Sequence, residues 1–97
     1  MKRKQVPYGT KLPIYFSSEE LNDIREHTFV DADFGRHAKI DGNQLRLDLS
    51  LDDIEEIQGY IAAEANYTHN NKLSRRLDRL FEKFQKHLEG FYDHEEV

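Results

Sequence analysis

Apolar positions in this chain repeat with two periods, one near 3.6 and one of two, and the change between them marks out its elements. The longest helical pattern is Leu73, Leu77, Leu80, Phe84, Leu88 and Phe91, at steps of three and four, with Phe81 widening the stripe. It predicts a helix capped by Asn71 and running to about Leu88, with Gly90 as the residue just beyond its end. A second helix starts at Ser50, carries Asp52, Asp53, Glu55 and Glu56 in its first turns, and reaches about Asn66. Ile54, Ile57, Ile61 and Ala65 are its core face, with Leu51 and Ala62 beside them.

Before it, Gln44 to Leu49 alternates: Leu45, Leu47 and Leu49 point inward, and Gln44, Arg46 and Asp48 outward. With His37 to Ile40 and the Asp41-Gly42 dipeptide this reads as a β-hairpin. Leu12 to Phe16 is another short strand, and Pro13 confines it to an edge or a strand start because it has no N–H to donate. Ser17-Ser18-Glu19-Glu20 has the spacing of a capping box, so a helix from about Ser18 to His27 follows, with Leu21 and Ile24 inward. Thr28 to Arg36 lacks periodicity and reads as a loop with Phe29, Val30 and Phe34 as anchors. Residues 1–11 read as a mobile basic tail, residues 12–91 as the folded core and the acidic C-terminus as a fraying tail. The expected fold is a single α+β domain of order β-α-β-β-α-α, a small sheet packed against a C-terminal antiparallel helix hairpin.

Leu12 to Ile24 also aligns with Leu45 to Ile57, 33 residues further on. Leu12/Leu45, Ile14/Leu47, Phe16/Leu49, Ser17/Ser50, Glu20/Asp53, Leu21/Ile54 and Ile24/Ile57 correspond. Both segments are a strand, a serine cap, an acidic first turn and an apolar helix face. Two readings stand: a duplication, or the form any strand takes when it runs straight into a capped helix.

Composition narrows the function classes. At 97 residues the core is modest, and a partner that adds buried area would help it. The chain has no Cys, which excludes disulfides, thiolate catalysis and Cys-ligated zinc. No apolar run approaches a membrane span, and Gln5 to Gly9 stands where a signal peptide needs an apolar stretch, so a cytoplasmic protein is expected. The net charge of −5 disfavours nucleic acid and anionic membrane unless the cations cluster.

They do cluster. Around the third helix, at about 100° per residue, Lys72, Arg75, Arg76, Arg79, Lys83 and Lys86 share one sector, and Asp78, Glu82 and Glu89 fill another. One reading is a ridge for phosphates. The other is a charge match to the acidic first turns of the second helix, within the chain or across a dimer, with Glu82 to Lys86 adding an i,i+4 pair. On the far side of the second helix Gly59 and Ala63 form a shallow shelf where another helix can approach, flanked by Tyr60 and Tyr67 as contact anchors. Catalytic motifs are missing: the glycines are isolated, and no nucleophile elbow, zincin or EF-hand spacing occurs. His27, Asp31, Asp33 and His37 are metal-ligand types, but their spacing matches no recognised site, and no metal or cofactor is expected.

Gln44 to Leu88 resembles the ribbon-helix-helix pattern of small bacterial repressors, in which strands from two chains pair and insert outward side chains into the major groove. The resemblance implies Gln44, Arg46 and Asp48 as readers and Lys72 and Arg75 as phosphate contacts. The chain departs from that pattern in its longer second helix, in a strand preceded by a hairpin turn, and in Asp48 beside a polyanion. The expected function is a non-enzymatic protein–protein interaction module, homodimeric or bound to another protein. The alternative is a DNA-binding regulator using the basic face of residues 72–86 with Arg46.

Overall fold

The computed structural model describes residues 3–31 and 33–92, in the order β1 (Lys4–Gln5), β2 (Leu12–Phe16), α1 (Ser18–His27), β3 (Lys39–Asp41), β4 (Gln44–Leu49), α2 (Leu51–Tyr67), α3 (Asn71–Gly90) and β5 (Phe91–Tyr92). The fold is α+β. A three-stranded antiparallel sheet of order β2-β4-β3 carries the α2–α3 hairpin on one face, and a small parallel pair, β1 with β5, ties the chain ends together. Alternation in β2 and β4 puts Leu12, Ile14, Phe16, Leu47 and Leu49 into the core. There they meet Leu21 and Ile24 of α1, Ile54, Ile57 and Ile61 of α2, and Leu73, Leu77, Leu80 and Phe84 of α3. The Phe16 and Phe84 rings pack edge to face, 5.8 Å apart.

The two segments that echo one another in sequence are paired in space. β2 and β4 run antiparallel in the register Leu12↔Leu49, Ile14↔Leu47 and Phe16↔Leu45. Ile14 therefore faces Leu47, its own counterpart. The caps agree in detail. Ser17 Oγ accepts from the Glu20 N–H and the Glu20 carboxylate accepts from Ser17 N–H; Ser50 and Asp53 make the same reciprocal pair.

Four expectations change. Residues 4–6 are not a loose tail: β1 pairs with β5, Val6 N–H donates to the Tyr92 carbonyl at 2.9 Å, and the Val6 side chain is buried. The Arg3 guanidinium lies over the Tyr92 ring and also donates to the Leu88 carbonyl. The expected acidic tail from Asp93 to Val97 lies outside the described residues, as do Met1 and Lys2. The hairpin turn is Gly42-Asn43 rather than Asp41-Gly42, because Asp41 still pairs with Gln44. Gly42 takes φ 63° and Asn43 stays at negative φ, the arrangement of a turn with glycine first. Asn70, not Asn71, caps α3, its side chain accepting from the Leu73 N–H. Gly90 is the last helical residue and not a left-handed C′ residue; the chain leaves it in extended form at Phe91.

Phe84→Ala removes the largest fully buried side chain of α3 and its contact with Phe16. It should cost about 3–5 kcal/mol in urea unfolding. Ser50→Ala, which deletes one capping box, should cost about 1 kcal/mol.

Candidate functional site

The charged sector of α3 divides in two. Arg76 makes a bidentate pair with Asp23 of α1, Nε to Oδ2 at 2.7 Å and Nη2 to Oδ1 at 3.2 Å, with Glu19 3.7 Å away. The Asp23 hydrogen bond, opposed by partial desolvation and helped by the nearby carboxylates, holds the Arg76 guanidinium above its ordinary pKa. Lys83 Nζ donates to both oxygens of Glu20, at 2.8 and 3.0 Å, and to the Tyr15 carbonyl at 2.9 Å. It also sits 5.2 Å from the Phe16 ring centre. The acids that match α3 therefore come from α1 and not, as expected, from the first turns of α2. The sequence carried a signal for this: Glu19, Glu20 and Asp23 fall on one face of α1 at i, i+1 and i+4.

Lys72, Arg75, Arg79 and Lys86, the other four cations, are exposed, and among the described residues none has an ion-pair partner. The Glu82–Lys86 pair is not closed to ion-pair distance. Arg46 lies on the outer face of the sheet. Its Nε is buried 3.5 Å from an Asp48 oxygen and makes no hydrogen bond. β4 pairs with β2 along one edge and with β3 over Gln44–Arg46 on the other, so the antiparallel pairing that a ribbon-helix-helix dimer makes between chains is made here within the chain.

The acids of α2 are engaged by the chain's N-terminal part. Lys11 Nζ donates to Asp53 Oδ2 at 3.1 Å, and the Tyr8 hydroxyl donates to Asp52 at 2.9 Å. Burial tends to raise the Asp53 pKa, but hydrogen bonds from Lys11 and from the Ser50 backbone and hydroxyl outweigh it and hold the carboxyl below 3.8. On the outward side of α2, Gly59 and Ala63 are exposed, and a side-chain carbon placed on Gly59 would meet nothing within 4 Å. Tyr60 is half-buried and donates to Glu56 at 3.1 Å, which pushes its hydroxyl pKa up. Tyr67, at the end of the same face, is 82% exposed.

An open cleft of about 650 Å³ lies beside this face. Its walls are the 29–37 loop, β4 from Leu47 to Leu49, and α2 from Asp53 to Tyr60, and Phe29 stands 83% exposed at its rim. Of the expected loop anchors, Val30 and Phe34 pack against the core and Phe29 does not. Sequence periodicity could not show this cleft, because loop residues form one of its walls. Asp31, Asp33 and His37 line it without converging: among the described residues no three His, Asp or Glu side chains are placed to hold one metal ion. Gln58 was also missed. It is buried between the helices and donates to the Gln85 side chain at 2.9 Å.

The chain matches no protein-family model, no curated protein and no solved structure. Among the described residues no helix is long and apolar enough to cross a membrane.

The lowered Asp53 pKa sets a pH dependence. A carboxyl depressed by folding contributes stability that is present above its unfolded pKa and is lost as pH falls through the folded value. Stability should therefore fall on acidification below about pH 4. Asp53→Asn should flatten that part of the profile of urea midpoint against pH; an unchanged profile would show that the Lys11–Asp53 pair contributes nothing.

Proposed function

We propose that this protein is a non-enzymatic, cytoplasmic protein–protein interaction module that self-associates through the outward face of α2. The observation that carries the reading is the continuity of that face: the Gly59–Ala63 shelf, with Tyr60 beside it and Tyr67 in solvent at one end. Exposed aromatic side chains around low-relief backbone supply contact area at small entropic cost, the composition found in interface cores. A core drawn from 97 residues also gains from area buried by a partner. In a self-associating protein the melting temperature rises with protein concentration. Gly59→Arg separates interface from fold. It meets no neighbour within the chain, and leaving glycine favours the helix by about 1 kcal/mol. The variant should keep or raise the stability of the monomer while abolishing the concentration dependence, read by sedimentation and thermal melting. A wild-type protein that is monomeric with a concentration-independent melt would overturn the reading.

A second reading rests on Lys72, Arg75, Arg79 and Lys86, a solvent-facing cationic ridge on a rigid helix. It makes the protein a nucleic-acid binder through α3 rather than through a strand ribbon. Titration of a labelled DNA duplex should then show affinity that falls steeply with salt, and Arg75→Ala with Arg79→Ala should reduce the salt slope. No binding at low salt would dismiss it.

A further inference from the structure

β3 stands outside the core. Lys39, Ile40 and Asp41 are all exposed, Ile40 at 83%. β3 is an edge strand, with β4 on one side only. Asp41 and Gln44 close a two-residue turn, which makes Asp41↔Gln44 and Lys39↔Arg46 the hydrogen-bonded pairs of this ladder. The Ile40 N–H and carbonyl therefore point to the open side, where the described residues place no other strand. On the outer face of the sheet Lys39 lies opposite Arg46, a like charge, and Asp41 lies opposite Gln44. Among the described residues neither Lys39 nor Asp41 has an ion-pair partner. On the helix side Ile40 lies opposite Leu45, which is only partly buried.

We propose that β3 pairs antiparallel with β3 of a second copy, centred on Ile40. A strand that reads cation, apolar residue, acid is its own complement in that register. Ile40 meets Ile40 of the second copy, and the two exchange N–H···O=C bonds. Lys39 stands opposite Asp41 of the second copy, twice, at about 4.5 Å between Cα atoms. Charges on an edge strand keep copies apart when like meets like. Here opposite signs flank Ile40, so the same register makes two attractions and gives Lys39 an acid on the side away from Arg46. The contact is isologous, as a two-fold requires. Two main-chain bonds and two exposed ion pairs make it weak, with pairing at about millimolar protein, above the range in which the α2 face is tested. It uses no residue of the α2 face, so either reading can fail while the other stands.

The test follows the Ile40 amide by NMR in full chains that all carry Gly59→Arg, which blocks the α2 face. With β3 otherwise native, hydrogen exchange at Ile40 should slow about twofold between dilute protein and about 2 mM, because its N–H gains an acceptor only in the pair. Lys39→Glu alone, or Asp41→Lys alone, sets like charges opposite one another and should abolish that slowing. Isotope-labelled Lys39→Glu titrated with unlabelled Asp41→Lys restores opposite charges at both positions, and the Ile40 resonance should then shift saturably. The Arg46 amide, which points to β3, reports that the hairpin is intact in each variant. Exchange at Ile40 that is independent of concentration overturns the proposal. So does slowing that survives Lys39→Glu, or a mixture of two intact variants that behaves as each does alone.

Discussion

The antiparallel pairing of β2 with β4 about Ile14 and Leu47 is the constraint from which the rest of the structure follows. Each strand ends in a serine that caps a helix at once, so the register of the pair also fixes where α1 and α2 begin. A slip of one residue would turn Leu12, Ile14 and Phe16 to the outer face and leave both helices with nothing to cover. The capping boxes at Ser17 and Ser50 sharpen the turn from strand to helix by satisfying donors that would otherwise be orphaned.

α3 breaks this likeness: it follows α2 as a hairpin, whereas the next element after α1 is β3. Arg76 and Lys83, two turns apart, bind Asp23 and Glu20 of α1, while Lys11 and Tyr8 hold Asp53 and Asp52 of α2. Asp23 is only 6% exposed, and a carboxylate that deep needs a well-aligned cation. The pair ties α3 to α1 in addition to its packing on α2.

Much of the fold was legible in the sequence because its signals are local. Strand alternation at Leu45 to Leu49, the two serine caps and the stripe of α3 all emerged at nearly the expected bounds. Asn70 and Asn71 are chemically equivalent caps, so only tertiary placement chooses between them. The β1–β5 pair was not legible, since two-residue strands have no period and their partners stand at opposite ends of the chain. For the functional face, a helical wheel located the basic sector but could not say which neighbour would meet it. Arg76 and Lys83 turned out to be internal, whereas Lys72, Arg75, Arg79 and Lys86 face solvent. The exposed shelf at Gly59 and Ala63 was visible in advance; the cleft beside it needs the fold of the 29–37 loop and was not.

A double-mutant cycle on Asp23 and Arg76 measures directly whether their ion pair ties the α2–α3 hairpin to α1. Asp23→Asn, Arg76→Gln and the double variant would be compared by urea unfolding. The account predicts strong favourable coupling between the two, and none in a parallel cycle of Glu56→Gln with Arg76→Gln. Additive effects at Asp23 and Arg76, or equal coupling in the two cycles, would contradict it.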